Sequence, residues 1–439
     1  MKLNIFYSSP SGARWSPPIR SKADMPVSTV TLLPHHRFQQ ILGFGGAFTE
    51  SSAYVFSQLS PQTQQQFIDA CFDPKTGLGY TLGRVSIHSN DFSLCSYIYT
   101  DFNDLSLESF SLAHEQIWLL PMLRQAKARC NTLQLLASVW SPPAWMKTNG
   151  SMSHGGSLLP ECQSTWARYL HRYLTEMARQ GFPIDYLSVQ NEPEATQTWE
   201  SCLYTSRQEA DFIAEHLGPL LKKKHPSVRL LGWDHNRDHL TQRADALLHS
   251  AAAEYIWGLG YHWYVSEDHE ALARTHLRHP GIHLLFTEGC LEGGPRPDDD
   301  WQPAVRYAEN YMQDLNNWCE GFWDWNLLLD MDGGPNHVGN YCHSPILADT
   351  ASRQIYKNSA YYAIGHFSRV LRPGAVRIAV QPGGPLLATA AQNLDGSLAC
   401  VIYNPTCQPQ AVQAVLDSAN PFCSFYMEAK SIASLTVFK

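Results

Sequence analysis

Between roughly residues 40 and 370, short runs of continuous apolar residues alternate with longer stretches in which apolar positions recur every three or four residues. The short runs are Gln40–Gly46, Thr81–Ser86, Leu133–Val139, Tyr186–Gln190, Val228–Gly232, Ile256–Tyr261, Ile282–Phe286 and Gly321–Trp325. Their apolar character is unbroken rather than alternating, as parallel strands covered on both faces require. The intervening stretches predict helices over Pro61–Phe72, Ala113–Arg129, Thr165–Gln180, Arg207–Lys224, Arg243–Tyr255, His269–His279, Pro303–Cys319 and Asn358–Val370. Local signals agree. Ser60 precedes Pro61, an N-cap ahead of a helix-starting proline, Gly181 follows the third helix as a C-cap, and Pro226 limits the fourth. Strands alternating one-for-one with helices predict a (β/α)₈ TIM barrel.

The two ends of the chain read differently. Val376–Val380, Leu386–Ala391, Ser397–Tyr403, Ala411–Leu416 and Ser431–Phe438 are short strand-like runs, separated by turn signals such as Pro382-Gly383-Gly384. They predict an all-β sandwich. The N-terminal segment, extended over Val27–Leu33, is too short to fold alone and is expected to add strands to it. The expected domains are therefore residues 1–32 and 373–439 in a sandwich built from both chain ends, and 33–372 in the barrel. Asp298-Asp299-Asp300, within a Gly/Pro-rich stretch, reads as a solvated loop tip.

Composition narrows the function. A formal charge of −8 argues against nucleic acid or an anionic membrane surface as the main partner. No apolar run is long enough to span a membrane. Aromatic residues make up 12% of the chain, with 13 Trp, more than a core alone needs, so several are expected to line a groove. The 11 Cys are scattered without metal-ligand spacing and read as buried free thiols. Met1–Pro10 lacks the pattern of a signal peptide. A cytoplasmic protein is the expectation, or a secreted one if a leader has been removed. Oligomeric state is left open.

The C-terminal ends of barrel strands share one mouth, and here two glutamates stand there. Glu192 ends Ile184–Gln190 plus Asn191, and Glu288 ends Ile282–Thr287. Around them the other strand ends present Asp91, Trp140, Asn191, Trp199, Asp234, His235, His262, Tyr264, Trp325 and Asn340. Carboxylates and amides exchange hydrogen bonds with hydroxyls, and indole faces stack on the apolar face of a pyranose. Two carboxylates flanking one bond are the equipment of glycoside hydrolysis.

These residues bring a family into view. The chain resembles glycoside hydrolase family 30, in its glucosylceramidase-like branch. The resemblance rests on Gly43-Phe44-Gly45-Gly46-Ala47-Phe48-Thr49-Glu50, Asn90-Asp91-Phe92-Ser93 and Trp140-Ser141-Pro142-Pro143-Ala144-Trp145. It continues through Asn191-Glu192-Pro193, His262-Trp263-Tyr264, Phe286-Thr287-Glu288-Gly289-Cys290, Trp323-Asp324-Trp325-Asn326-Leu327 and Gly333-Gly334-Pro335-Asn336. It implies retaining hydrolysis of a β-glucoside without a cofactor, with Glu288 as nucleophile and Glu192 as acid/base. It also implies that Asn191 bonds the 2-hydroxyl and that Asp91, Trp140, Trp325 and Asn340 hold the non-reducing sugar. Trp199 would wall the leaving-group side, and His262 and Tyr264 would orient Glu288. Repulsion from Glu288 is expected to raise the pKa of Glu192. The partner is a β-glycoside, whether oligosaccharide or glycolipid, and β-1,6-glucan, β-xylosides and β-fucosides are alternatives on the same scaffold.

Two other classes compete. A metal-dependent barrel hydrolase could draw on Asp234, His235, His262 and Glu288, but a His-x-His ligand pair is not evident and no metal is expected. A catalytically silent carbohydrate-binding barrel would need one glutamate lost, and both are present. No Gly-x-Ser-x-Gly elbow supports serine hydrolysis.

Overall fold

The computed structural model describes residues 2–18, 27–294, 301–417 and 421–438, and the Asp298–Asp300 loop tip lies outside them. Eight parallel strands close into a barrel: Gly43–Ala47, Leu82–Ile87, Gln134–Val139, Tyr186–Ser188, Arg229–Asn236, Ile256–His262, His283–Glu288 and Cys319–Asn326. The last pairs with the first through Gly321↔Gly43 and Phe322↔Phe44. All eight coincide with the apolar runs. Closure depends on the glycines of the first strand. A Cβ on Gly45 would lie 1.9 Å from the Leu82 carbonyl oxygen, so only glycine allows these strands to meet. Below the mouth, Leu82, Leu136, Tyr186, Leu231, Leu285 and Trp323 form one buried cluster, and the Trp323 indole donates to the Gly83 carbonyl at 3.1 Å.

The helices differ from expectation where side chains intervene. The second barrel helix begins at Leu119 rather than Ala113, because buried Glu115 turns inward to accept from the hydroxyls of Tyr97 (2.7 Å) and Tyr99 (2.6 Å). The stretch from Ser206 to Lys224 is helical but carries a π turn at Ile213–Leu217, where Gly218 N–H reaches back to the Ile213 carbonyl. Pro219, which cannot donate, follows at once. The predicted Arg243–Tyr255 helix ends at Leu248, and a 3₁₀ turn over Ala251–Glu254 follows. Two features were not expected. A helix over Glu50–Gln58 is capped by the Thr49 hydroxyl, which accepts from Ser52 N–H at 3.1 Å. A three-stranded sheet (Leu329–Asp330, Ile346–Asp349, Gln354–Lys357) occupies the segment after the last barrel strand.

The sandwich strands run in the order Lys2–Ser8, Ile432–Phe438, Leu398–Tyr403, Leu387–Gln392, Val376–Pro382, Val27–Gln40, Gln410–Leu416 and Cys423–Met427. Both N-terminal strands are therefore integral to it. Its core includes Tyr7, Val30, Leu32, Ile378, Val412 and Leu435. Helix Ser359–Ser368 ties it to the barrel. Buried His366 sits between Ser434 Oγ (2.9 Å) and Ser8 Oγ (2.8 Å), and burial drives its pKa down to about 3, leaving it neutral. All eleven cysteines are free thiols. Among the described residues, no helix is long and apolar enough to cross a membrane.

Candidate active site

The polar centre of the mouth is assembled by a residue the sequence reading left out. Arg84, in the middle of the second strand, is fully buried. Its Nη1 donates to Glu288 Oε2, and its Nη2 donates to Asn191 Oδ1 (2.9 Å) and Asp234 Oδ2 (3.2 Å). A guanidinium in a dry interior must be matched by anions, and the seventh and fifth strands supply them. The ring of Trp140 lies 4.9 Å from the guanidinium carbon and that of Trp325 5.4 Å. The available signal was the lone cation inside an otherwise apolar buried run.

Asp234 is the second hub. It stands where the fifth and sixth strands slip register between Trp233 and His235, and its φ is +57°. A bulge of this kind re-aims a side chain, and here it sends the carboxylate inward. Ser138 (3.1 Å), Ser188 and Thr287 (2.5 Å) donate their hydroxyls to it, and His262 Nε2 lies 3.1 Å away. Burial opposes its charge, but Arg84, His262 and Ser188 outweigh burial and hold it well below the ordinary carboxylate range.

Glu288 ends the seventh strand, 6% exposed. Besides Arg84, it accepts from the Tyr264 hydroxyl at 2.9 Å. Its carboxyl is raised above the ordinary range: burial pushes it upward, Arg84 and His262 pull it down without outweighing burial, and Glu192 adds a smaller upward push.

Glu192 follows the fourth strand in the left-handed region, with φ +48°. Such a conformation is sparse for a residue with a Cβ and persists only where the surroundings impose it. Its N–H donates to the Asp234 carbonyl at 2.9 Å, and the Asn191 N–H donates to that of Val139 at 2.6 Å, so neighbouring strands fix the turn. Its Oε1 lies 3.2 Å from His262 Nδ1 and 3.6 Å from His235 Nδ1. The expected upward shift is corrected here. Burial does push Glu192 up, but the facing imidazoles of His235 and His262 outweigh it and hold the carboxyl below its usual range. His262 is raised to about 9: burial opposes this, while Glu288, Asp234 and Glu192 favour the cation. The expected contact of His262 with Glu288 is corrected too, since its two nitrogens face Glu192 and Asp234, leaving Tyr264 alone of that pair on Glu288.

The remaining residues form a polar pair and an apolar cluster. Asn340 Nδ2 donates to Asp91 Oδ2 at 2.9 Å, and Asn336 Nδ2 holds the Asn340 carbonyl at 3.0 Å. Burial, reinforced by Glu288, drives the Asp91 carboxyl up to about 8. Trp140 and Trp325 stack at 5.3 Å with Phe92 edge-on to Trp325, and Trp199, half-buried, packs on the same apolar cluster. The metal set considered from sequence, Asp234 and Glu288 with the two histidines, does not form. Arg84 stands between the two carboxylates, a cation where that set needs its metal.

Comparison with known proteins agrees with this architecture. The family model for the glycosyl hydrolase family 30 TIM-barrel domain matches residues 41–371, and that for the family 30 beta sandwich domain matches residues 374–435. The chain is 34% identical over 397 residues to the lysosomal acid glucosylceramidase of Mus musculus, covering 85% of this chain and 77% of that protein. The crystal structure of SrfJ from Salmonella typhimurium matches all of both chains at 33% identity with a TM-score of 0.93. The endo-beta1,6-glucanase BT3312 matches 99% of this chain and 98% of its own at 28% identity and a TM-score of 0.90. The chain belongs to glycosyl hydrolase family 30 and is a glycosidase.

Proposed function

We propose that this chain hydrolyses terminal β-glucosidic bonds with retention, Glu288 acting as nucleophile and Glu192 as acid/base. The observation that carries the reading is a single continuous relay of side chains, Glu288–Arg84–Asp234–His262–Glu192, each in direct contact with the next. It holds both carboxyl groups in one site, fixed before substrate arrives.

In the first step Glu288 attacks the anomeric carbon. Arg84 and Tyr264 fix its two oxygens, so the attacking lone pair is aimed and desolvated. The departing aglycone oxygen takes a proton from Glu192. The Glu192–His262 pair, 3.2 Å apart, shares that proton, and the form with it on Glu192 is the acid. In the second step Glu192 takes a proton from water, which attacks the glycosyl ester and releases Glu288. Asn191 Oδ1 is occupied by Arg84, which leaves its amide N–H₂ to meet the 2-hydroxyl. Asp91, supported by Asn340, accepts from the hydroxyls farthest from the cleaved bond, and the Trp140–Trp325 pair bounds the sugar. A pocket bounded in this way favours removal of end units. Similarity to a glucosylceramidase supports a terminal glucose. Similarity to an endo-β1,6-glucanase supports a second reading, β-1,6-glucan.

The test is turnover of an aryl β-glucoside by Glu288→Gln and Glu192→Gln. Glu288→Gln is expected to be inactive. Glu192→Gln is expected to keep glycosylation with a reactive leaving group and to be rescued by azide as the β-glucosyl azide. Full activity in either variant would refute the assignment. NMR of the first-released sugar should show the β anomer, and a panel with glucosylceramide, β-1,6-glucan, β-xyloside and β-fucoside ranks the substrates.

A further inference from the structure

We infer that the acid/base end of this site is also a binding site for a divalent transition-metal ion of the zinc class, held by Glu192, His235 and His262 and inhibitory to turnover. It rests on the reading of Glu192 as acid/base for its consequence, though not for the binding itself.

The argument is geometric. Glu192, His235 and His262 each bring one ligand atom to within 4.8 Å of the other two. Zinc bonds to imidazole nitrogen and carboxylate oxygen of about 2.0–2.2 Å set the edges of a coordination tetrahedron at about 3.3–3.6 Å. Two edges of this triangle measure 3.2 Å (Glu192–His262) and 3.6 Å (Glu192–His235). An ion can therefore enter the centre of the triangle with little movement of its corners. Two imidazoles and one carboxylate with a remaining open position is a donor set suited to first-row divalent ions and ill suited to magnesium, which prefers oxygen ligands in octahedral geometry.

The outer support is built as well. His262 Nε2 stands 3.1 Å from Asp234 Oδ1, which aims Nδ1 at Glu192, and a bound ion takes the place of the proton that Nδ1 shares with Glu192, which is released to solvent. Asp234 is itself held by Arg84, Ser138, Ser188 and Thr287. The two remaining ligands, unlike His262, keep some solvent contact, 13% for the His235 side chain and 15% for that of Glu192, so an ion can reach them. Once bound, it occupies the oxygen that must carry the proton, and it stands where the aglycone oxygen has to come.

The experiment uses the full chain and zinc sulfate. One zinc equivalent is expected by equilibrium dialysis at this site, displaced by a glucose-like inhibitor. Aryl β-glucoside hydrolysis is expected to fall with zinc, to return with EDTA and to ignore magnesium. Replacing His235 by Phe should remove that equivalent and raise the zinc inhibition constant about ten-fold or more, whatever turnover the variant retains. A second three-donor cluster, Asp245, His249 and His279, lies elsewhere on the surface. His249→Ala should leave both turnover and zinc inhibition unchanged. Zinc inhibition of equal strength in His235→Phe, or zinc sensitivity lost in His249→Ala, overturns the inference, as does an active enzyme that zinc leaves unaffected. If the chain cleaves no β-glycoside, the glycosidase roles fail, and dialysis of the His235→Phe variant still decides the metal site.

Discussion

Arg84 Nη1 donates to Glu288 Oε2 across the barrel interior, from a side chain with no exposure, 204 residues distant in the chain. The contact does two things at once. It pulls the pKa of the buried Glu288 carboxyl down against the larger upward push of burial, and it neutralises an arginine that would otherwise be an isolated charge in a dry core. Loss of one partner from such a pair costs about 3–5 kcal/mol. Arg84→Met is thus expected to lower folding stability by that order, read by denaturant unfolding. Arg84→Lys keeps the charge but loses the fork that reaches Asn191 and Asp234 together with Glu288. It should fold, with kcat/KM for an aryl β-glucoside down by about 10²–10³-fold.

Tyr264→Phe isolates a smaller contribution. The hydroxyl donates to Glu288 Oε1 at 2.9 Å and touches little else polar apart from Cys290 Sγ at 3.6 Å. A hydrogen bond to a charged group is worth about 1.5–3 kcal/mol, so kcat/KM should drop by roughly ten- to a hundred-fold. The ring remains packed beside Trp325 and Cys290, and the melting temperature should hardly move. An unchanged kcat/KM would mean that the hydroxyl does not help aim the nucleophile.

Asp91 predicts a conflict between stability and activity that depends on pH. Its folded carboxyl is raised to about 8 from an ordinary 3.8, chiefly by burial. Between those values the native state holds a proton that the unfolded chain has released, so stability falls as pH rises. The contribution is fully present below about pH 4 and lost by the time pH has passed through 8. Asp91→Asn removes the titration while its side-chain oxygen can still accept from Asn340. The variant should melt level with the parent at pH 4 and above it at pH 8, the gap widening steadily between. Activity moves the other way once the parent carboxyl has ionised above about pH 8, with KM for the glucoside raised in the variant, because an amide keeps one acceptor oxygen where the carboxylate has two.

Much of this was legible before the fold was known, and the exceptions share a cause. The eight barrel strands were readable because burial on both faces makes each an unbroken apolar run. Glu192 and Glu288 were readable because a carboxylate at the end of such a run has nowhere to point but the mouth. Arg84 was passed over because one cation inside a strand carries no periodic signal, and its partners come from strands far off in sequence. Asp234 was seen at a strand end, but its inward aim comes from a bulge that slips the register between Trp233 and His235, and bulges leave no mark on hydrophobic pattern. The low pKa of Glu192 likewise depends on where two histidines from other strands fall, which no spacing reports. The π turn before Pro219 and the shortened second barrel helix are local departures from propensity, set by a missing N–H and by the buried Glu115.

Gly45 links the closure of the barrel to its chemistry. It pairs with Leu82 on one side and Trp323 on the other, and Arg84 is two residues beyond Leu82 on that neighbouring strand. A methyl group at Gly45 would lie 1.9 Å from the Leu82 carbonyl oxygen and 2.4 Å from its carbon, both backbone atoms that cannot rotate away. The strands would have to part, breaking the ladder at the point where it carries Arg84 toward Glu288. Gly45→Ala is expected to cost at least about 3 kcal/mol, beyond ordinary overpacking because backbone is struck. The fraction that folds should also show reduced kcat, since the guanidinium shifts with its strand. Gly281→Ala supplies the comparison, because its added Cβ meets nothing within 4 Å and its backbone is not left-handed. That variant should match the parent in both melting temperature and turnover. Equal behaviour of the two alanine variants would show that the first two strands tolerate separation, and that Arg84 is positioned by its ion pairs rather than by the sheet.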